Sequence, residues 1–181
     1  MRDGIYCIQF PRDLATVDRV WSEAINQLGK ESARAQGLDV AITSTIRLSS
    51  TRVTDTVYII VDDGEGIGLL RIGRRKLFLT SPNAGGLSEY NPLCVLDFYT
   101  RRRRKGHGRE LFCAMLGAQG VSICSLAFDR PSSDMKSFLK KVFGIDGISL
   151  QPNRFAIVWP DFHSPQPTDP TRLVHSCIIR I

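Results

Sequence analysis

The chain has 181 residues, 24 Lys and Arg against 18 Asp and Glu for a net charge of +6, and 43% hydrophobic residues. That composition supports one globular core, and the positive balance favours acidic partners: nucleic acid, a phosphorylated ligand, an anionic membrane or an acidic protein. Cys7, Cys94, Cys113, Cys124 and Cys177 form no CxxC pair, which excludes the usual zinc spacing and a disulfide framework, and no apolar run approaches the ~20 residues of a membrane span.

In chain order, Gly4 to Phe10 alternates as a short strand closed by Pro11. From Ala15 to Ala35 the period turns helical, with Val17, Val20, Trp21, Ala24, Ile25 and Leu28 on one stripe and Gly37 at the C-cap. Strands are predicted at Thr56 to Val61, Gly68 to Ile72 and Leu77 to Leu79, with a basic turn through Arg74, Arg75 and Lys76. Ser81 to Asn91 reads as a loop. Pro92 to Tyr99 is apolar except for Asp97 and reads as a central strand buried on both faces. A helix follows with Leu111, Phe112 and Met115 inward, then a strand at Val121 to Phe128. Ser132 or Ser133 caps a helix carrying Met135, Phe138, Leu139, Val142 and Phe143, stopped by Gly144. Phe155 to Trp159 is the last clear strand. Pro160, Pro165, Pro167 and Pro170 then mark an extended tail, so residues 1–160 read as the domain and 161–181 as a Pro-rich extension. The apolar end at Cys177 to Ile181 suggests that the natural chain continues. This order of elements predicts an α+β fold with a central, mostly antiparallel sheet.

The segment from Cys94 to Arg109 carries the chemistry: a buried strand runs into Arg103-x-x-Gly106-x-Gly108 and directly into a helix. Glycines let the backbone approach a ligand, and successive N–H groups at a helix N-terminus point at an anion, which favours a pyrophosphate. A solvated basic turn or a nucleic-acid patch is the alternative for Arg101 to Arg104. Against a nucleic-acid module, no aromatic residues interleave with these arginines as a stacking platform.

Four ordered stretches resemble the α-tubulin N-acetyltransferases, a divergent branch of the GNAT superfamily. They are Leu28-Gly-Lys-Glu-Ser-Ala-Arg-Ala-Gln-Gly-Leu38, Gly73-Arg-Arg-Lys-Leu-Phe78, Pro92-Leu-Cys-Val-Leu-Asp-Phe-Tyr99 with Gly106-His-Gly-Arg-Glu-Leu-Phe112, and Ala127-Phe-Asp-Arg-Pro-Ser132. Against animal members, the stretch between Phe98 and Gly106 is about two residues shorter and richer in arginine. Asp134 stands where a basic residue is expected, and Ala41 replaces a proline.

The resemblance implies a GNAT-like sheet splayed in a V and flanked by helices, with acetyl-CoA as co-substrate and α-tubulin in microtubules as partner. It implies direct transfer in a ternary complex, and a place in the cytoplasm and cytoskeleton, including the axoneme of a cilium or flagellum. Its functional positions fall on Asp129, Cys94 and Gln36. The CoA region falls on Phe98, Tyr99, Thr100, Arg101, Arg102, Arg103, Arg104, Lys105, Gly106, His107, Gly108 and Arg109, and on Ser132, Ser133, Lys136, Lys140 and Lys141. Arg130 and Phe155 fall at the substrate groove, and Arg74, Arg75 and Lys76 are candidates for meeting acidic tubulin. No metal, nucleic acid or membrane partner is expected, and the chain is expected to be a monomer.

Each residue also has a plainer reading. Cys94 alone is a small core residue, Asp129 a helix cap, Gln36 a surface residue at a helix end, His107 an exposed side chain, and Arg74 to Lys76 a solvated turn. The rival functions are a GNAT enzyme acting on another lysine or a small amine, a nucleic-acid-binding module, and a microtubule-binding protein without catalysis.

Overall fold

A computed structural model describes residues 1–10, 17–80, 86–102, 104–162 and, as backbone, 178–180. In chain order it contains β1 (Gly4–Phe10), α1 (Arg19–Ala35), α2 (Thr45–Ser50), β2 (Asp55–Asp62), β3 (Glu65–Arg74), β4 (Leu77–Thr80), β5 (Leu87–Tyr90) and β6 (Leu93–Thr100). Then come α3 (His107–Gln119), β7 (Leu126–Asp129), α4 (Ser133–Phe143), β8 (Ile148–Leu150), β9 (Phe155–Val158) and β10 (Ile178–Arg180). Among the described residues the main sheet has eight strands in the order β10-β1-β2-β3-β6-β7-β9-β8, with β4 and β5 as a separate hairpin. The β6–β7 and β1–β10 pairs are parallel and the others antiparallel, which is the mixed, mostly antiparallel sheet expected.

The helices cover the sheet on both faces. On one side Trp21, Ile25 and Leu28 of α1 and Leu48 of α2 pack on Ile8, Val57, Ile59 and Leu69. On the other, Leu111, Phe112 and Met115 of α3 and Met135 and Leu139 of α4 meet Tyr58, Leu70, Val95 and Phe128. Ile25 and Leu28 are fully buried, each worth roughly 1.5–3 kcal/mol of transfer free energy. Asp18 caps α1 by accepting from the Trp21 amide, and Ser132 caps α4 by accepting from the Met135 amide.

Several expectations shift. Val20 is half exposed, because the buried face of α1 turns through Gly29, Ser32 and Ala33 and not back through Val20. The predicted loop before Asn91 contains β5, which pairs with β4 from Leu77↔Tyr90 to Thr80↔Leu87. The predicted strand at Val121 to Phe128 shortens to β7, because Ser122 caps a 3-10 turn over Ile123–Ser125. The short α2 and β8 had no sequence counterpart. Of the tail, Ile178–Arg180 runs parallel to β1 as an edge strand. Pro11, Ala15, residues 81–85, Arg103, Pro165, Pro167, Pro170 and Cys177 lie outside the described residues. No helix among the described residues is long and apolar enough to cross a membrane, and no group of three or more of their His, Cys, Asp and Glu side chains is placed to hold a metal ion.

Candidate active site

The site begins where two parallel strands part. β6 pairs with β7 only through Leu93↔Leu126, Cys94↔Ala127 and Val95↔Phe128, and then continues alone on that side to Thr100. On its other edge the register with β3 slips, with Ile72 opposite Val95 and Arg71 opposite Asp97, so Leu96 is an inserted residue. Such a bulge reverses the alternation of faces. Val95 and Phe98 point to α3 and α4, while Asp97 is turned toward α1. A cavity of about 580 Å³ occupies the split, reaching from Ser32 and Gln36 on the α1 side to Phe138 and Val142 on the α4 side.

On the α4 side the cavity meets the start of α3. Gly106 is the N-cap with φ of +90°, and no side chain caps the first turn, so the leading amides of α3 face outward. At Gly108 a Cβ would come 3.0 Å from Phe98 Cζ and 3.2 Å from Phe138 Cε2, so glycine lets the helix settle closely on the aromatic cluster of Phe98, Phe112, Phe138 and Phe143. Phe98, Tyr99, Thr100, Gly106, Gly108, Ser132 and Ser133 line the cavity, joined by Arg102, Arg104, Arg109 and Lys141. This combination of open helix amides, close backbone and cations fits the pyrophosphate of a CoA ester.

Arg102 also pairs with Asp62 at 2.5 Å, and the remaining basic candidates among the described residues lie off the cavity wall. Arg101 donates from Nε and Nη2 to Glu31 at 2.7 and 2.9 Å, with Glu65 at 3.5 Å, and does not line the cavity. That hydrogen bond holds the Glu31 carboxyl below its usual range. Lys140 pairs with Asp146 at 2.6 Å, and His107 lies 3.7 Å from Glu110, off the cavity wall. Lys105 and Lys136 are also off that wall. Asp134, the residue expected to be basic, does line the cavity.

On the α1 side Asp129 closes β7 on the same sheet face as Ala127 and Cys94. Arg130, with φ of +43°, folds back so that Nε and Nη2 donate to the two Asp129 oxygens at 2.9 and 3.2 Å. Both residues line the cavity, as does Gln36 at the C-cap of α1. Cys94 does not line it. It is fully buried with Leu77, Leu79, Ala127 and Ile157, its Sγ donating to Pro92 O at 3.5 Å. Burial pushes the thiol up to about 12, so the side chain is neutral near pH 7, which counts against its acting as a thiolate. Phe155 packs on the same apolar cluster, opposite Asp129 in β9.

The spacing of residues did not reveal the polar group at the base of this side. Asp97, 4% exposed, accepts from Ser32 Oγ at 2.6 Å, Gln36 Nε2 at 3.1 Å and Thr43 Oγ1 at 2.6 Å. Burial raises its carboxyl above the usual value, while these donors and the Arg71 charge act the other way. The one signal in the sequence was a lone carboxylate in an apolar strand.

The basic turn divides by residue. Arg74 donates to Asn91 O and Lys76 pairs with Glu89, both exposed. Arg75 instead reaches inward to the fully buried Asp55, with Nη2 at 2.8 Å from Oδ1, beside Arg71 at 2.6 Å from Oδ2. It is therefore a structural cation and not a free docking group. Arg75→Ala is expected to cost ~1–3 kcal/mol by leaving a buried carboxylate with one cation, whereas Arg74→Ala and Lys76→Ala stay within about ±0.5 kcal/mol. Urea denaturation of the three variants measures this, and equal effects would place Arg75 with its neighbours.

A mixed sheet that parts between two parallel strands, with a glycine turn opening a helix at the split, is the architecture of the GNAT acetyltransferases. The family model described as "GNAT acetyltransferase, Mec-17" matches residues 6–176, and the chain belongs to that family. Its relatives include alpha-tubulin N-acetyltransferase 2 of Trypanosoma cruzi (strain CL Brener), 42% identical over 80% of this chain and 44% of that protein. The alpha-tubulin N-acetyltransferase of Leishmania braziliensis is 40% identical over 74% of this chain and 57% of that protein. The chain thus spans about half the length of these relatives. Among solved structures, a ribosomal-protein-alanine N-acetyltransferase from Brucella melitensis biovar Abortus 2308 aligns with a TM-score of 0.45 and 15% identity, over 77% of this chain and 90% of that one.

Proposed function

We propose that this chain transfers an acetyl group from acetyl-CoA to a lysine side chain of α-tubulin in microtubules, directly within a ternary complex. The observation that carries this reading is the continuity of the cleft through the β6–β7 split: a glycine-opened helix start on one side, Asp129 and Gln36 on the other. The names of the T. cruzi and L. braziliensis relatives support the choice of substrate.

Acetyl-CoA supplies the acetyl group as an activated thioester. The protein must hold the cofactor's phosphates, admit the amine from the opposite face and remove its proton. A lysine ammonium has a reference pKa of ~10.4, so it arrives charged, and the Asp129 carboxylate both attracts it and offers a route for its proton through water. Arg130 sits on that carboxylate in the resting protein, and an approaching ammonium competes with it for the same oxygens. Residues 1–160 as the catalytic domain, a monomeric state, a cytoskeletal location including a cilium or flagellum, and no use of nucleic acid belong to the same proposal.

The test is incubation with acetyl-CoA and microtubules, with the acetylated lysine located by mass spectrometry. Acetyl on α-tubulin is the expected result. Acetylation of unrelated proteins or small amines with none on tubulin would overturn the substrate, and no acetyl transfer at all would overturn the activity.

A further inference from the structure

The stretch from Leu28 to Leu38 contains a stripe that apolar periodicity does not explain. Gly29, Ser32 and Gln36 succeed one another at helical spacing along α1 and its C-cap, Gly29 against Thr43 and the other two against Asp97. A Cβ on Gly29 would lie 1.9 Å from Thr43 O, so glycine there lets the segment after α1 press against the helix backbone. Thr43, fully buried, sends its hydroxyl to Asp97 Oδ2, and Ser32 sends its hydroxyl to Asp97 Oδ1. Gln36 Nε2 donates both to Ser32 Oγ at 2.9 Å and to Asp97 Oδ1 at 3.1 Å. Arg71 adds a further hold on the segment through Nη1 to Ile42 O at 2.6 Å. One carboxylate, turned to this side by the bulge in β6, therefore gathers the end of α1, the segment at Thr43 and the floor of the cleft.

We propose that Asp97 is the positioning residue of the substrate side: it fixes the Gln36 amide in the wall of the cleft and, behind it, the buried segment at Thr43 that backs this wall. The Gln36 amide nitrogen is engaged by this network, donating to Ser32 Oγ and Asp97 Oδ1. Asp97 Oδ1 accepts from this nitrogen, so the amide is placed with its nitrogen inward and its carbonyl oxygen toward the cavity. In that orientation Gln36 offers an acceptor to a donor of the incoming polypeptide, such as an amide N–H or a lysine ammonium. The residue acts through Gln36 and does not itself touch the reacting atoms. This inference rests on the proposed transfer to tubulin for its kinetic consequence, but not for its structural one.

The experiment compares Asp97→Asn, Gln36→Ala and the double variant. Asparagine keeps the shape but replaces one acceptor oxygen with a donor, which opposes one of the three donors aimed at it. Asp97→Asn is expected to lower kcat/KM for microtubules by roughly tenfold or more, with acetyl-CoA affinity unchanged. In the double variant the Asp97 change should add little to the Gln36 change, since both act through one amide. Backbone amides over 36–44 should exchange hydrogen faster in Asp97→Asn, while those of α3 keep wild-type protection. Multiplying effects in the double variant, or unchanged exchange over 36–44, would overturn the proposal. If Asp97→Asn does not fold, Ser32→Ala with Thr43→Val removes the two hydroxyl donors and is subject to the same criteria. A wild type that never acetylates tubulin would sink the substrate reading alone, and the exchange result would still decide whether Asp97 holds this wall.

Discussion

Asp129→Asn is expected to lower turnover on microtubules by ~10²–10⁴, the usual worth of general acid–base catalysis, with acetyl-CoA affinity near that of the wild type. The substitution preserves side-chain shape while removing the charge, and Asp129 lies across the split from the glycine turn that starts α3. Loss of turnover without loss of cofactor binding therefore isolates the amine side of the reaction. Cys94→Ala is the necessary companion. With its thiol pushed up to about 12 by burial, Cys94 is neutral near pH 7 and poorly suited to act as a base or nucleophile of the usual kind. Its removal leaves a small gap beneath Asp129 among Leu77, Ala127 and Ile157, so the expected loss is no more than roughly tenfold, about 1.4 kcal/mol. Steady-state kinetics with cofactor affinity measured separately decide the matter. Normal turnover in Asp129→Asn, a dead Cys94→Ala and acetyl trapped on Cys94 would replace direct transfer with an acetyl-cysteine route.

The parts of the site that were legible in the sequence are those built from neighbours in the chain. Strand, glycine turn and helix follow one another from Leu93 to Gln119, so the pyrophosphate side could be read from a single stretch. Gly144 and Ser132 likewise mark their helix ends locally. What was missed depends on partners far along the chain. Asp97 meets Thr43, Gln36 and Ser32 across separations of 54, 61 and 65 residues, and Arg101 meets Glu31 across 70. An arginine in a basic run has the same appearance in the sequence whether it faces phosphate or a glutamate on the next helix. The α1 stripe held at Trp21, Ile25 and Leu28, but Val20 was misplaced and the continuation was missed for a related reason. Gly29 and Ser32 are buried by close backbone approach and hydrogen bonding, which no hydropathy pattern registers. The bulge at Leu96 is also silent in the sequence, yet it decides which face receives Asp97. The hairpin was half visible: β5 has the sequence Leu-Ser-Glu-Tyr, too short and polar to stand out, and it forms because β4 offers it an edge.

Gly106→Val is expected to remove the thermal stabilisation by acetyl-CoA, an effect worth ~2.7 kcal/mol in the wild type at 100 times the dissociation constant. Gly106 holds φ at +90°, a conformation that L residues rarely adopt, and a Cβ there would meet nothing within 4 Å. The Cβ itself therefore meets no neighbour in the free protein, but a valine strains the turn by ~1–3 kcal/mol or forces it to relax, which moves the first amides of α3. Its bulk also occupies the mouth where the backbone must approach a phosphate. Gly108→Val is the contrasting case. Its Cβ would press on Phe98 and Phe138, rings already packed against Phe112, so the free protein itself should lose stability and the aromatic floor should shift. The two variants thus separate a binding turn from a packing contact. Melting curves with and without millimolar acetyl-CoA read both quantities at once. If Gly106→Val keeps the full ligand shift, the first turn of α3 does not hold the pyrophosphate, and the cations at Arg102, Arg104, Arg109 and Lys141 must hold it without the helix start.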